Sequence, residues 1–114
     1  VGRGEQILQC LKHNGRDTLP KGLEIANADD VVQMEDEPTA VLRTRKNSSM
    51  VVGLRMLAEG QGDAFVSAGN TGALLTASTL VVKRLHGVRR AALCPVLPAK
   101  NGGTLLMDAG ATVG

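Results

Sequence analysis

Phe65-Val66-Ser67-Ala68-Gly69-Asn70-Thr71-Gly72-Ala73 is the stretch on which the reading of this chain turns. It opens inside a short apolar run, Ala64 to Ser67, bounded by Asp63 and Gly69, which suits a strand. Beyond it Leu74, Leu75, Ser78, Val81, Val82 and Leu85 recur at helical spacing. Lys83, Arg84 and His86 fall in the last turn of that helix and Gly87 ends it. The stretch is a strand that passes through a loop of small residues directly into a helix. Such a loop aims backbone N–H groups and the positive end of the helix dipole at one point. Gly69 and Gly72 let a phosphate or carboxylate approach the main chain, and Asn70 and Thr71 add side-chain donors. The segment Ser67 to Ala73 is thus a candidate anion cradle. Its spacing is neither GxxxxGK[ST] nor GxGxxG, so ATP and NAD lack support. Strand-to-helix turns also use Gly and Asn for conformational reasons alone.

The flanking sequence repeats the alternation. Glu5 to His13 places Ile7, Leu8 and Leu11 on one helical face, and Asn14-Gly15 supplies a stop. Leu23 to Ala26 alternates like a short strand after Pro20 and Gly22, and Asn27 to Asp30 reads as a loop. Asp36 or Glu37 begins a helix with Pro38 in its first turn, running to about Lys46. Asn47-Ser48-Ser49 is a polar corner from which Met50, Val51, Leu54, Leu57 and Ala58 continue at helical spacing until Gly60. Ala91 to Leu97 and Thr104 to Met107 read as strands joined through Lys100-Asn101-Gly102-Gly103. Pro95 makes the first an edge or bulged strand, and Leu105 to Met107 reads as buried. Strands alternating with helices predict an α/β fold.

Composition narrows the function. The 114 residues carry 13 Lys plus Arg against 11 Asp plus Glu, 43% apolar residues, 14 glycines and one aromatic, Phe65. A chain of this size buries roughly 65% of its unfolded surface, enough for one core and not two. Without Trp or Tyr it lacks platforms for stacking bases, and a net charge of +2 is too small for a nucleic-acid footprint. The longest weakly polar run, Gly72 to Val82, has 11 residues, far short of the ~20 that span a bilayer. Cys10 and Cys94 form no CxxC pair, so neither a zinc site nor a disulfide scaffold is indicated, and a reducing cytoplasm fits. Val1 to Gly4 offers no signal peptide, and the chain reads as an internal piece of something longer. Charge is uneven: residues 1 to 63 hold 8 bases and 10 acids, whereas residues 64 to 114 hold 5 bases and only Asp108. That electropositive half suits an anionic ligand or an acidic partner, and equally a solvated face.

A second candidate is Arg43, Arg45, Lys46, Asn47, Ser48 and Ser49, where cations and hydroxyls meet at a helix junction. Asp108 follows a strand and precedes Ala109-Gly110, which puts its carboxylate where open α/β sheets place ligands, or in a turn. Glu35, Asp36 and Glu37 read as first-turn acids matched to the helix dipole. His13 and His86 sit at helix ends without a Ser, Cys or metal-ligand partner, and Cys10 and Cys94 read as buried. No catalytic nucleophile, base and orienter trio assembles.

Taken together, Asp36-Glu37-Pro38, Arg43 to Met50, Ser67 to Ala73, Pro95-Val96-Leu97-Pro98 and Asp108-Ala109-Gly110-Ala111 resemble PlsX, the bacterial phosphate acyltransferase family of phospholipid synthesis. The order and spacing agree along nearly the whole chain. The resemblance implies transfer of a fatty acyl group from acyl carrier protein to inorganic phosphate, giving acyl phosphate, without an external cofactor or a metal. It also implies a three-layer α/β/α sandwich similar to the isocitrate and isopropylmalate dehydrogenases, present here only in part as a single partial domain over 1–114. A cytoplasmic homodimer with peripheral membrane association is implied as well. Carried onto this sequence, Ser67, Gly69, Asn70, Thr71 and Gly72 match the family's glycine loop. Arg43, Lys46, Ser48 and Ser49 match its basic-Ser-Ser segment, and Asp108 matches the aspartate of its DxGAN segment. Thr112 and Gly114 depart from the family's Asn and Asp. The family's opening Asp-Ala-Met-Gly-Gly-Asp motif is expected before Val1 and its second half after Gly114, so the isolated segment is expected to be inactive. Lys83, Arg84, Arg89 and Arg90 are a candidate surface for the acidic carrier. Two other classes fit the residues: a noncatalytic anion-binding regulatory domain, and a structural half-domain with an exposed sheet edge.

Overall fold

The computed structural model describes residues 1–107 and Ala109, and Asp108, Thr112 and Gly114 lie outside the described residues. Helix α1, Gly4–His13, begins where the Gly4 N–H donates to Asn27 Oδ1 at 2.9 Å, and it ends at Asn14 before Gly15 with φ +74°. None of its residues is buried. The predicted Leu23 to Ala26 strand does not form, and the chain makes a single parallel bridge there, Asn27 opposite Gly2.

The helix expected from Asp36 to Lys46 is a single turn, α2, Val41–Thr44. The acids do not start it. Asp36 accepts from the Gln33 N–H at 2.7 Å and from Arg45, while Glu37 to Ala40 forms a turn closed by Ala40 N–H to Glu37 O at 2.9 Å. A carboxylate held by a neighbouring guanidinium is taken away from the helix end.

Helices α3, Ser49–Ala58, and α4, Thr71–Val81, start at their predicted corners, each under a side-chain cap. Ser48 Oγ accepts from the Val51 N–H, and Asn70 Oδ1 accepts from the Ala73 N–H at 3.0 Å, which satisfies amides that the helix itself leaves without an acceptor. Helix α4 stops short of Leu85. Lys83 takes a left-handed φ of +72° and its N–H turns back to Ser78 O at 3.1 Å, so Lys83, Arg84 and His86 follow the helix. Gly87, φ +85°, turns the chain later rather than ending the helix.

The core lies between α3 and α4. Val41, Met50, Val51, Leu54, Ala73 and Ala77 are buried together, with Val32, Phe65 and Leu74 packed against them. Gly53 lets Phe65 lie on α3, because a Cβ there would overlap the phenyl ring.

The strands differ most from expectation. Phe65 and Val66 form no strand, among the described residues none runs beside them, and Val66 is 93% exposed. A parallel strand takes its hydrogen bonds and its cover from neighbours, so its apolar sequence alone does not form a ladder. Strands β1, Val96–Ala99, and β2, Gly102–Leu105, pair antiparallel with Val96 opposite Leu105 and Ala99 opposite Gly102. Pro95 comes just before β1, where its carbonyl accepts from the Leu106 N–H at 3.0 Å and it has no N–H to return, so the ladder ends there. Leu105, Leu106 and Met107 are exposed rather than buried, because among the described residues nothing covers the two-stranded sheet. Cys10 and Cys94 are likewise exposed and free, one on an unburied helix and the other beside the hairpin. The result is a small mixed α/β domain with a two-stranded sheet. Among the described residues no helix is long and apolar enough to cross a membrane.

Candidate anion site

The loop ahead of α4 is shaped by its own polar groups. Ser67 Oγ accepts from the Gly69 N–H at 3.2 Å, which bends the chain before the cap. Asn70 is buried and fully engaged: Oδ1 caps α4, and Nδ2 donates to the carbonyls of Gln33 and Met34 at 3.4 and 3.3 Å. Gly72 is seated against Pro38, whose Cγ would lie 3.4 Å from an added Cβ. Thr71 is exposed at the first turn. With Ala73 satisfied by the cap, the Thr71 and Gly72 amides occupy helical positions that have no acceptor within the helix.

A cavity of about 200 Å³ lies against this loop, lined by Ser67 and Gly69 on one side and by Ser49 and Met50, the first two residues of α3, on the other. Val1, Val31, Val32, Phe65 and Val66 supply apolar walls. The structure therefore brings Ser49 of the basic-Ser-Ser corner to Ser67 and Gly69 of the glycine loop, across residues far apart in sequence. A space of this size holds several waters or a small anion. The positive end of the α3 dipole faces it.

Other members of that corner act differently. Ser48 is fully buried and spent on capping α3, and its backbone pairs with Asp30 in a parallel bridge. Arg43 and Lys46 are exposed and do not line the cavity. Arg45, which the resemblance did not carry over, bonds Asp36 through Nε at 3.0 Å and Nη2 at 3.2 Å, and Asp30 through Nη1 at 3.1 Å. Among the described residues both ion pairs belong to it. The Arg45 hydrogen bond, then the Gln33 N–H, hold the Asp36 carboxyl below its ordinary pKa, and Asp36 in turn raises that of Arg45. Reading one residue in isolation missed this pair; the signal was two acids, Asp30 and Asp36, ahead of the basic run Arg43 to Lys46. No group of three His, Cys, Asp or Glu able to hold a metal occurs among the described residues.

A loop of small residues leading into a capped helix, with a cavity of mixed polar and apolar lining beside it, is set in a small mixed α/β domain. Over residues 1–114 the chain matches the family described as fatty acid synthesis protein, and it belongs to that family. It is similar to the phosphate acyltransferase of Caldanaerobacter subterraneus subsp. tengcongensis, 46% identical over 103 residues, covering 84% of this chain and 31% of the relative. The phosphate acyltransferase of Thermoanaerobacterium thermosaccharolyticum is 43% identical over 110 residues, 96% of this chain and 31% of the relative. That of Magnetococcus marinus is 46% identical over 113 residues, 99% of this chain and 32% of the relative. The chain spans about a third of the length of these curated relatives.

Proposed function

We propose that the whole protein transfers a fatty acyl group from acyl carrier protein to inorganic phosphate, and that this chain supplies the phosphate cradle. The observation that carries the reading is the cavity that joins Ser49 to Ser67 and Gly69, in a chain similar to proteins named phosphate acyltransferase. In the reaction a phosphate oxygen attacks the thioester carbonyl, a C–O bond forms, the C–S bond breaks and the carrier leaves as its thiol. The product is an acyl phosphate for phospholipid synthesis.

The residues of this chain act by position and charge. Ser49, Ser67 and the backbone at Gly69, which line the cavity, hold the phosphate with the α3 dipole, and Lys46 and Arg43 on the neighbouring corner add positive potential, whereas Asn70, Thr71 and Gly72 lie outside that lining. Asn70 holds the loop in place by its three hydrogen bonds and leaves anion contact to the main chain. Asp108 completes the proposed set, as the resemblance has it. No external cofactor enters this scheme. The complete fold is proposed as the dehydrogenase-like α/β/α sandwich, in a cytoplasmic homodimer that associates peripherally with the membrane. The 114-residue segment alone is proposed to be inactive, because a site shared with other parts of the enzyme cannot hold its transition-state geometry.

The test is to incubate the full-length enzyme with acyl-acyl carrier protein, with and without inorganic phosphate, and to follow acyl phosphate. Product that depends on phosphate is expected. A folded enzyme that makes none would refute the reading.

A further inference from the structure

We infer that Arg45 is a positioning residue for the anion cradle, acting through a chain of hydrogen bonds that ends at the first turn of α4; this inference rests on the phosphate reading above. The chain can be followed atom by atom. The Arg45 guanidinium grips Asp36 with two N–H groups, at 3.0 and 3.2 Å, and Asp30 with a third at 3.1 Å. Asp30 and Asp36 bracket the segment 30–36, so one side chain pins both ends of it. Asp36 Oδ2 also accepts from the Gln33 N–H at 2.7 Å, which turns the carbonyls of Gln33 and Met34 toward Asn70. Asn70 Nδ2 bonds both carbonyls, and its Oδ1 holds the Ala73 N–H at 3.0 Å.

The same guanidinium reaches the other wall of the cavity. Asp30 O accepts from the Ser49 N–H at 3.0 Å, and the Asp30 N–H donates to Asn47 O at 3.3 Å. Asp30 therefore fixes the start of α3, whose Ser49 faces the cavity, while Asp36 fixes the loop that seats Asn70. Arg45 spans the two. Its own charge is neutralised by two carboxylates, so it is poorly suited to bind phosphate directly, and it does not line the cavity. A planar fork that meets Asp36 with two parallel bonds and still reaches Asp30 is a geometry that lysine cannot reproduce.

The experiment uses the full-length enzyme and two variants, Arg45→Gln and Arg45→Lys, with KM measured separately for phosphate and for the acyl donor. Positioning predicts that both variants raise the phosphate KM about tenfold and leave the donor KM within about twofold, since a misplacement of the order of 1 Å is costly. A purely electrostatic role predicts recovery in Arg45→Lys, and such recovery would overturn the inference. An unchanged phosphate KM in both variants would overturn it too, while leaving phosphate-dependent turnover of the wild type intact. Amide exchange supplies a readout that does not need activity: the Ala73 amide is expected to exchange faster in Arg45→Gln, and equal exchange would overturn the chain. Where Arg45→Gln fails to fold, Asp36→Asn keeps an acceptor for Gln33 while weakening the ion pair. It is expected to shift the phosphate KM in the same direction, and no shift would count against the inference. If the wild type makes no phosphate-dependent product, the functional reading falls, and the exchange result still decides the structural chain.

Discussion

The α3–α4 pair and the β1–β2 hairpin are comparably rich in small and apolar residues, yet one is the core and the other is bare. Val51, Leu54, Ala73 and Ala77 are all but inaccessible, whereas every residue of both strands is exposed. Two helices close in sequence can bury their apolar faces against each other with a short connection. Two strands can satisfy each other's backbone, but they need another layer to cover their side chains. Apolar sequence states a demand for burial, and only the partner decides whether it is met.

The most damaging way to break this contrast is at Leu54. Leu54→Ala should cost about 2–5 kcal/mol in urea unfolding, while Leu105→Ala in the hairpin of the same 114-residue chain should stay within about 0.5 kcal/mol. Equal losses would show that the hairpin is part of the core. Gly53→Ala should cost about 1–3 kcal/mol, because the added methyl must displace the Phe65 ring. A neutral result would mean that Phe65 does not rest on α3.

Asn70→Ala should cost about 0.5–2 kcal/mol by removing the cap of α4, and should weaken phosphate use in the full-length enzyme without unfolding it. Phosphate dependence that does not change would remove Asn70 from the support of the site. The smallest effect is expected on acidification. Asp36, hydrogen-bonded by Arg45 and by the Gln33 N–H, is held below its ordinary value, so its contribution to stability is present above about pH 4 and is lost as pH falls through its folded pKa. Asp36→Asn should flatten that part of the acid unfolding profile. An unchanged profile would show that the pair contributes nothing to stability, as many solvent-facing pairs do.

What could be read in advance follows the range of the forces involved. The corner at Ser48 was legible because a cap is a contact between neighbours three residues apart, whereas Asn70, read as an anion donor, turns out to cap α4. Helix α1, the start of α3 and the start of α4 followed from spacing for the same reason. The short α2 was not legible, because Asp36 is drawn to Arg45, nine residues away, rather than to the helix end. Burial of Leu105 to Met107, Cys10 and Cys94 was overestimated, since it depends on a covering layer rather than on the residues themselves. Of the candidate site, the loop at Ser67 to Gly72 could be named from its small residues, and Ser49 from its hydroxyl at a helix start. That these two meet in one cavity, and that Arg45 bonds both Asp30 and Asp36, are facts of tertiary structure.

The most direct measurement is the phosphate KM of Gly69→Ala in the full-length enzyme. The added methyl would meet only Ser67 Oγ at 3.5 Å and Met50 Cε at 3.7 Å, ordinary contacts that leave the fold intact while placing a carbon in the cavity. A cradle at this loop predicts a phosphate KM raised about tenfold with thermal stability unchanged. A variant as stable as the wild type with the same phosphate KM would contradict the assignment of the loop to phosphate.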